Sequence, residues 1–252
     1  MKKVRNNNKN TCGAWARIAK NAAANALLFA IALGLFLALG LRSGGDASAA
    51  SAAPLGFTES LRVDTAVYKG KKGAKTALLI AASWDASSLE GIAETLEKAN
   101  CRATFALSLD VLLKRPALAA RLAGRGHELA LAAGQESEEK PFEELMNELS
   151  EAARLIEAAA GERAGLIYAG RGDAIIRASR RLGLTAVKGS IDLICERGGA
   201  GDILSRAKGN ISGGDIVVCT PTTAFSDALS DILEYFSLSG LTAATVSGTI
   251  YD

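Results

Sequence analysis

Histidine is nearly absent from this chain of 252 residues, in which it occurs once, as His127. A mechanism that needs two imidazoles, for metal binding or for acid–base catalysis, is therefore excluded within the chain. Aromatic residues make up 5% of the sequence and the formal net charge is +2. Neither a base-stacking platform nor a strongly basic surface is indicated. We therefore predict no nucleic-acid partner.

Cysteine is also scarce, and its spacing is uninformative. The four cysteines are Cys12, Cys101, Cys195 and Cys219, and no two of them form a CxxC pair. This spacing favours neither a zinc cluster nor a dense disulfide framework. A disulfide among the last three remains open.

The amino-terminal residues have the pattern of a membrane anchor. Residues 1–21 carry basic side chains and no acid, and residues 22–41 form an apolar run of about 20 residues that is long enough to cross a bilayer. Because positive charge precedes the run, we expect a single-pass protein of the cell membrane, with a cytoplasmic amino terminus and an extracytoplasmic carboxyl-terminal part. The alternative is a cleavable signal peptide, since Ala47-Ser48-Ala49 resembles a cleavage site. Residues 42–65 are predicted to be a linker.

From residue 66 to residue 252, apolar runs alternate with amphipathic segments. The first run, Thr76–Trp84, is typical of a strand buried on both faces, and an amphipathic helix with Leu89 and Ile92 follows it. The alternation predicts about seven strands in an α/β barrel or an open parallel sheet. It also predicts one helix that ends near Gly124 and a last strand over 242–246. In such sheets the chemistry lies at the carboxyl ends of the strands.

Several short segments resemble, in order and spacing, the NodB-type polysaccharide deacetylases, particularly the membrane-anchored group associated with sporulation in Gram-positive bacteria. The resemblance spans 66–246 and implies a distorted parallel (β/α) barrel. It rests on these segments: Ala66-Val67-Tyr68-Lys69-Gly70, Ser83-Trp84, Arg102-Ala103-Thr104-Phe105, Arg115-Pro116, Gly126-His127-Glu128-Leu129, Gly172-Asp173, Arg181-Leu182-Gly183-Leu184, Ser190-Ile191-Asp192 and Gly214-Asp215-Ile216-Val217.

Members of that family hydrolyse the amide bond of N-acetyl groups on glycans with a divalent metal such as zinc, held by one aspartate and two histidines. The resemblance places the metal aspartate on Ala82 and the two metal histidines on Ala132 and Glu136. A methyl group cannot bind a metal, so only Glu136 keeps a side chain able to do so. We therefore expect no metal cofactor in this chain.

The acid–base residues of the family are also replaced here. The resemblance places the base aspartate on Ala81, the arginine that orients it on Tyr168, and the acid histidine on Thr220. His127 corresponds to a family histidine that binds no metal. It lies at the start of a strand, and thus at the opposite end of the barrel from the active site. The sequence therefore predicts a degenerate active site.

Carboxylates near the strand ends leave a remodelled site open. Asp85, Glu136 and Asp192 could form a cluster that binds an oxygen-preferring cation. The alternative is that Asp85 caps a turn and that the other two are solvated loop acids.

Other polar and aromatic residues complete the candidate pocket. Tyr168, Arg171 and Asp173 follow a predicted strand and could contact sugar hydroxyls or an anionic group, or Arg171 could pair with a surface acid. Trp84 could stack on a sugar ring or pack in the core at the end of its strand.

We expect an anchored, extracytoplasmic deacetylase-like domain that is catalytically inactive and acts as a glycan-binding or scaffolding module of the cell wall or spore envelope. One alternative is an active polysaccharide (peptidoglycan) N-deacetylase with a remodelled site. Another is a module that binds an envelope protein and no glycan.

Overall fold

The sheet is built around its first strand, β1 (Lys75–Ala82), in the computed structural model of the protein, which describes residues 66–134, 137, 139–170 and 172–252. Seven of the eight residues of β1 are buried. A strand covered on both faces needs apolar side chains at almost every position, which is what this segment supplies.

Eight strands form one sheet within the described residues, and all their pairings are parallel. Their order is β5-β4-β3-β2-β1-β7-β6, and β8 pairs with the amino-terminal end of β1. The strands after β1 are β2 (Thr104–Leu107), β3 (Glu128–Ala132), β4 (Leu166–Tyr168), β5 (Thr185–Val187), β6 (Ile191–Asp192), β7 (Ile216–Cys219) and β8 (Thr242–Ala244).

Helices connect these strands and cover the sheet. They are α1 (Leu89–Lys98), α2 (Leu109–Lys114), α3 (Pro116–Gly124), α4 (Phe142–Ala160), α5 (Asp173–Leu182), α6 (Ala200–Ala207), α7 (Thr223–Leu238) and α8 (Val246–Ile250).

Alternate residues of the strands belong to two separate buried clusters, one on each face of the sheet. The outer cluster lies between the sheet and the helices and contains Leu78, Ile80 and Ala82 of β1. The inner cluster is small-residue-rich and lies on the other face of the curled sheet. It comprises Ala77, Leu79, Ala106, Ala130, Ala132, Leu166, Val187, Ile216, Val218 and Val246.

The parallel α/β architecture predicted from the sequence is confirmed, and its barrel is open. No pairing joins β5 to β6 among the described residues, so the sheet is a curled half-barrel rather than a closed ring. The segment before β1 contacts the sheet at two places. Val67 forms a bridge with Val187 of β5, and Lys69 forms one with Asp215, directly before β7.

The prediction of a single helix that ends near Gly124 is wrong, because two helices, α2 and α3, occupy this stretch. Arg115 separates them with φ −138° and ψ 63°. Pro116 explains the break, since a proline lacks the amide donor and disfavours helical geometry in the residue before it.

Two short elements escaped prediction. β6 has only two residues and pairs with Val217 and Val218 of β7, and it raises the strand count from the expected seven. The last strand ends at Ala244 instead of residue 246, because Thr245 begins α8 by accepting a hydrogen bond from the Gly248 amide.

The predicted anchor over 22–41 and the linker over 42–65 lie outside the residues that the structure describes. Within residues 66–134, 137, 139–170 and 172–252, none of the helices combines the length and apolar character that a bilayer span requires.

Candidate functional site

A small cleft lies at the carboxyl ends of β1 and β7. Its volume is about 240 Å³, and its wall is formed by Ala81, Ser83, Trp84 and Asp85 after β1 and by residues 220–223 after β7. The two strands are neighbours in the sheet, which brings these distant parts of the sequence together. Three sequence-predicted positions, Ala81, Trp84 and Asp85, therefore share one cleft with Thr220.

Trp84 is 49% exposed, so it is not a core residue. The indole lines the cleft and presents a large apolar surface to solvent. Such a side chain can stack on the apolar face of a ligand ring while its N–H remains free to find a polar partner.

Asp85 forms a tight turn at the rim of the cleft. Its carboxylate accepts hydrogen bonds from the Ser87 amide at 2.8 Å and from Ser87 Oγ at 3.0 Å. These hydrogen bonds from Ser87 hold the pKa of Asp85 below its usual value, so the side chain is charged at neutral pH. Asp85 thus has the turn-capping role, and it also borders the cleft.

Glu196 does not line the cleft, but it contacts a residue that does, and the sequence did not reveal this contact. It lies in the loop after β6, and its carboxylate accepts a hydrogen bond from Thr220 Oγ1. Thr220 is the position onto which the resemblance places the acid histidine. The pairing of β6 with β7 brings the two residues together, and a two-residue strand leaves no periodic pattern by which this could be foreseen.

The loop that carries Glu196 is held firmly. Arg206 donates hydrogen bonds to three of its backbone carbonyls, those of Leu193, Ile194 and Arg197. Ile194 has a φ of 48°, an unfavourable conformation for a β-branched residue that the surrounding contacts must support. The Ile194 amide donates to Asp192 Oδ1 at 2.8 Å.

The remaining predicted pocket residues are dispersed. Asp192 is exposed, serves this loop and does not line the cleft. Asp173 is exposed in the first turn of α5, and Tyr168 is half-buried against the inner cluster. Glu136 and Arg171 lie outside the described residues.

The described residues do not fit the divalent metal of the deacetylase family. Ala82 and Ala132 end β1 and β3, but their methyl groups are buried in the outer and the inner cluster, on opposite faces of the sheet. No group of three His, Cys, Asp or Glu side chains in the described part of the chain could hold a metal ion.

His127 lies directly before β3, at the amino-terminal ends of the strands, whereas the cleft lies at their carboxyl ends. It is 6% exposed, and its Nδ1 accepts a hydrogen bond from the Ala103 amide at 3.3 Å. Burial, together with the positive charges of Arg102 and Arg125, lowers the pKa of His127 to about 4. The imidazole is therefore neutral at pH 7 and takes no part in the cleft.

No protein-family model matches the sequence. No curated protein matches it either.

Solved structures do match. A CE4 family pseudoenzyme from Bacillus anthracis, BA3943, superimposes with a TM-score of 0.69 at 20% identity, over 74% of this chain and 69% of that chain. The Bc1960 peptidoglycan N-acetylglucosamine deacetylase gives a TM-score of 0.66 at 19% identity, over 73% of this chain and 91% of the other. PdaA, a family 4 carbohydrate esterase of Bacillus subtilis, gives 0.65 at 15% identity, over 74% and 85%.

These similarities agree with the strand order, the helical cover and the motif order of the sequence. The described part of the chain therefore has the fold of the NodB-type polysaccharide deacetylases (family 4 carbohydrate esterases), with alanine at the ends of its first and third strands.

Proposed function

We propose that the protein is a catalytically inactive deacetylase-like module that binds glycan of the cell wall or spore envelope. The observation that carries the proposal is the pair of strand ends, Ala81-Ala82 and Ala132, where the family resemblance calls for a base and metal ligands. A protein that retained the fold and replaced these groups by methyl groups would keep the means to bind a sugar chain and lose the means to activate water.

The cleft supports a binding role. It combines the half-exposed indole of Trp84 with the charged carboxylate of Asp85 and with the hydroxyl of Thr220, which is hydrogen-bonded to Glu196 behind it. Apolar surface with a few fixed polar groups is the usual composition of a ligand site. The volume of 240 Å³ is below the range of about 300–1,000 Å³ for drug-sized ligands and suits one sugar unit of a longer chain.

The similar structures support the class of ligand. One of them is a pseudoenzyme of the CE4 family, and another is a peptidoglycan N-acetylglucosamine deacetylase. We infer that the ligand of this chain is a polysaccharide of the same chemical class, with N-acetylated sugars.

The basic segment 1–21 and the apolar run 22–41 support the proposed location. They would anchor the protein in the cell membrane and place the deacetylase-like domain outside the cytoplasm, where such glycan is found.

Retention on insoluble peptidoglycan tests the proposal. The full chain, purified in detergent, would be mixed with peptidoglycan beside two variants, Trp84→Ala and Leu238→Ala. We expect Trp84→Ala to lose at least about fivefold in apparent affinity, since loss of a stacking contact and of the apolar area that it buries costs about 1–3 kcal/mol. Leu238 is 81% exposed at the end of α7 and provides the matched control. Equal retention of both variants would overturn the assignment of the cleft.

Two further measurements separate the alternatives. Near-stoichiometric zinc after dialysis, with acetate released from the same peptidoglycan, would support an active deacetylase built from Asp85, Glu136 and Asp192. Absence of glycan retention, together with a specific envelope protein cross-linked to the chain in its membrane, would support the protein-interaction role.

A further inference from the structure

Two buried thiols meet behind the cleft. Cys195 lies in the loop after β6 and is 2% exposed, and Cys219 is the last residue of β7 and is 0% exposed. Both are free cysteines of the outer cluster, and each thiol is close enough to the other to shift its pKa. The remaining described cysteine, Cys101, precedes β2 at the opposite edge of the sheet and lies outside this pair.

Hydrogen bonds from neighbouring side chains hold the two cysteine-bearing segments together independently of the sulfur contact. Thr222, which follows β7, donates from Oγ1 to the Cys195 carbonyl at 3.1 Å. Arg206 fixes the carbonyls on either side of Cys195, at Ile194 and Arg197. The next residues on the two segments, Glu196 and Thr220, are joined by their own hydrogen bond. The loop and the end of β7 are thus joined at several points around the two sulfurs.

We propose that Cys195 and Cys219 form a disulfide bond when the chain folds in an oxidising environment. The bond would close a loop of roughly 25 residues that contains α6 and most of β7. It would fix Glu196 beside Thr220 and make the wall of the cleft rigid. This inference does not depend on the ligand of the cleft.

The chemistry is a two-step exchange with a disulfide oxidant, such as oxidised glutathione or the disulfide of an oxidoreductase. The Cys195 thiolate attacks one sulfur of the oxidant, which forms a mixed disulfide and releases one thiolate. Cys219 then loses its proton, and its sulfur displaces the second oxidant thiolate from Cys195. Two protein thiols are oxidised, two electrons and two protons pass to the oxidant, and two oxidant thiols are formed. Because both sulfurs are buried in the folded chain, we expect the exchange to occur late in folding, when the two thiols are already neighbours but still open to the oxidant.

The environment of the two thiols assigns their roles. The hydrogen bond from Cys219 lowers the pKa of Cys195, which favours Cys195 as the attacking thiolate. Burial raises the pKa of Cys219, so this thiol keeps its proton until the second step.

Disulfide mapping of the full chain tests the proposal. The chain would be synthesised in a cell-free system with detergent, in a glutathione redox buffer or in dithiothreitol. Remaining thiols would be blocked with N-ethylmaleimide in denaturant before proteolysis and mass spectrometry. In the glutathione sample we expect one cross-linked peptide pair containing Cys195 and Cys219, with Cys12 and Cys101 blocked. We also expect Tm to be about 10 °C higher than in dithiothreitol.

Variants of the cysteines provide the controls. Cys101→Ser should keep the redox dependence of Tm, and Cys195→Ala should abolish it. If Cys195→Ala fails to fold, the mapping in the parent chain decides the question alone. Blocked Cys195 and Cys219 in the glutathione sample, or a cross-link from either of them to Cys101, would overturn the proposal.

Discussion

Lys69 Nζ lies 2.7 Å from the carboxylate of Asp215, so the segment before β1 is tied to the turn before β7. The Asp215 side chain is 4% exposed, and it also accepts hydrogen bonds from Ser190 Oγ and from the amide and hydroxyl of Ser212. Desolvation raises the pKa of Asp215, but the hydrogen bonds from Lys69, Ser212 and Ser190 outweigh it and hold the pKa at about 2.

Substitution of this carboxylate should destabilise the fold. We expect Asp215→Asn to lower the free energy of unfolding by about 2–4 kcal/mol at pH 7, because Lys69 and the serine donors would lose a buried charged acceptor. The contribution should also fade in the parent chain as the pH falls from about 4 to about 2, since the folded-state pKa lies below the usual value of 3.8. Denaturant unfolding measures both effects.

The exposed ion pair between Lys75 and Asp252 provides the control. Its partners are 50% and 63% exposed, so Asp252→Asn should leave stability unchanged within error. Equal effects of the two substitutions would show that burial of Asp215 contributes nothing.

The neutral, buried His127 should make stability depend on pH. Its folded-state pKa of about 4 lies below the usual 6.5, so the unfolded chain binds more protons between these values. Stability should therefore fall as the pH falls through this window, by about 2 kcal/mol between pH 7 and pH 5.

His127→Asn isolates this effect. The Asn side-chain oxygen can still accept from the Ala103 amide, but the residue does not titrate. The variant should be less stable at pH 7, and its stability should be nearly independent of pH between 7 and 5. A pH slope as steep as that of the parent chain would place the titrating group elsewhere.

Gly213 permits a close approach between two turns. A Cβ atom at this position would overlap the carbonyl oxygen of Gly73, which belongs to the backbone and cannot rotate away. We expect Gly213→Ala to cost more than about 2 kcal/mol of stability by thermal or denaturant unfolding.

Gly201, within α6, is the matched glycine. Nothing lies within 4 Å of a Cβ atom there, so Gly201→Ala should be neutral or stabilising by up to about 1 kcal/mol. A larger loss at Gly201 than at Gly213 would contradict the packing described for the turn.

The hydrogen bonds from Arg206 to the loop after β6 should protect Cys195 from chemical modification. In protein kept reduced, we expect Arg206→Met to increase the rate of Cys195 modification by N-ethylmaleimide at least tenfold. The reason is that the loop would lose three hydrogen bonds and open more often. Arg154 pairs on the surface with Glu151 within α4, so Arg154→Met should leave the rate unchanged. Mass spectrometry of the modified peptides follows both.

The sequence was informative about the sheet where strands were long or fully apolar. β1 and β7 could be read from uninterrupted apolar runs, and α4 from its apolar spacing and the glycine after it. β6 could not be read, because two residues carry no period and their pairing with β7 is a long-range contact. Glu196 was missed for the same reason, since only that pairing brings it to Thr220.

The family resemblance located the site but not the directions of its side chains. Ala81 and Ala82 are adjacent in the sequence, yet Ala81 lines the cleft and Ala82 faces the helices. Successive side chains of a strand point to opposite faces of the sheet. Which of the two alanines faces the cleft therefore depends on where β1 ends. Trp84 illustrates the reverse case, because its exposure depends on the turn that Asp85 forms.

The pairing of β1 also constrains how the protein is made. Residues 75–77 of β1 bond to β8, which begins at Thr242, almost at the end of the chain. A chain emerging from the ribosome cannot complete its central strand until that last segment has been synthesised. The deacetylase-like domain therefore cannot reach its native state before residues 242–244 have been synthesised, and truncation before Thr242 would leave the first residues of β1 as a bare, aggregation-prone edge.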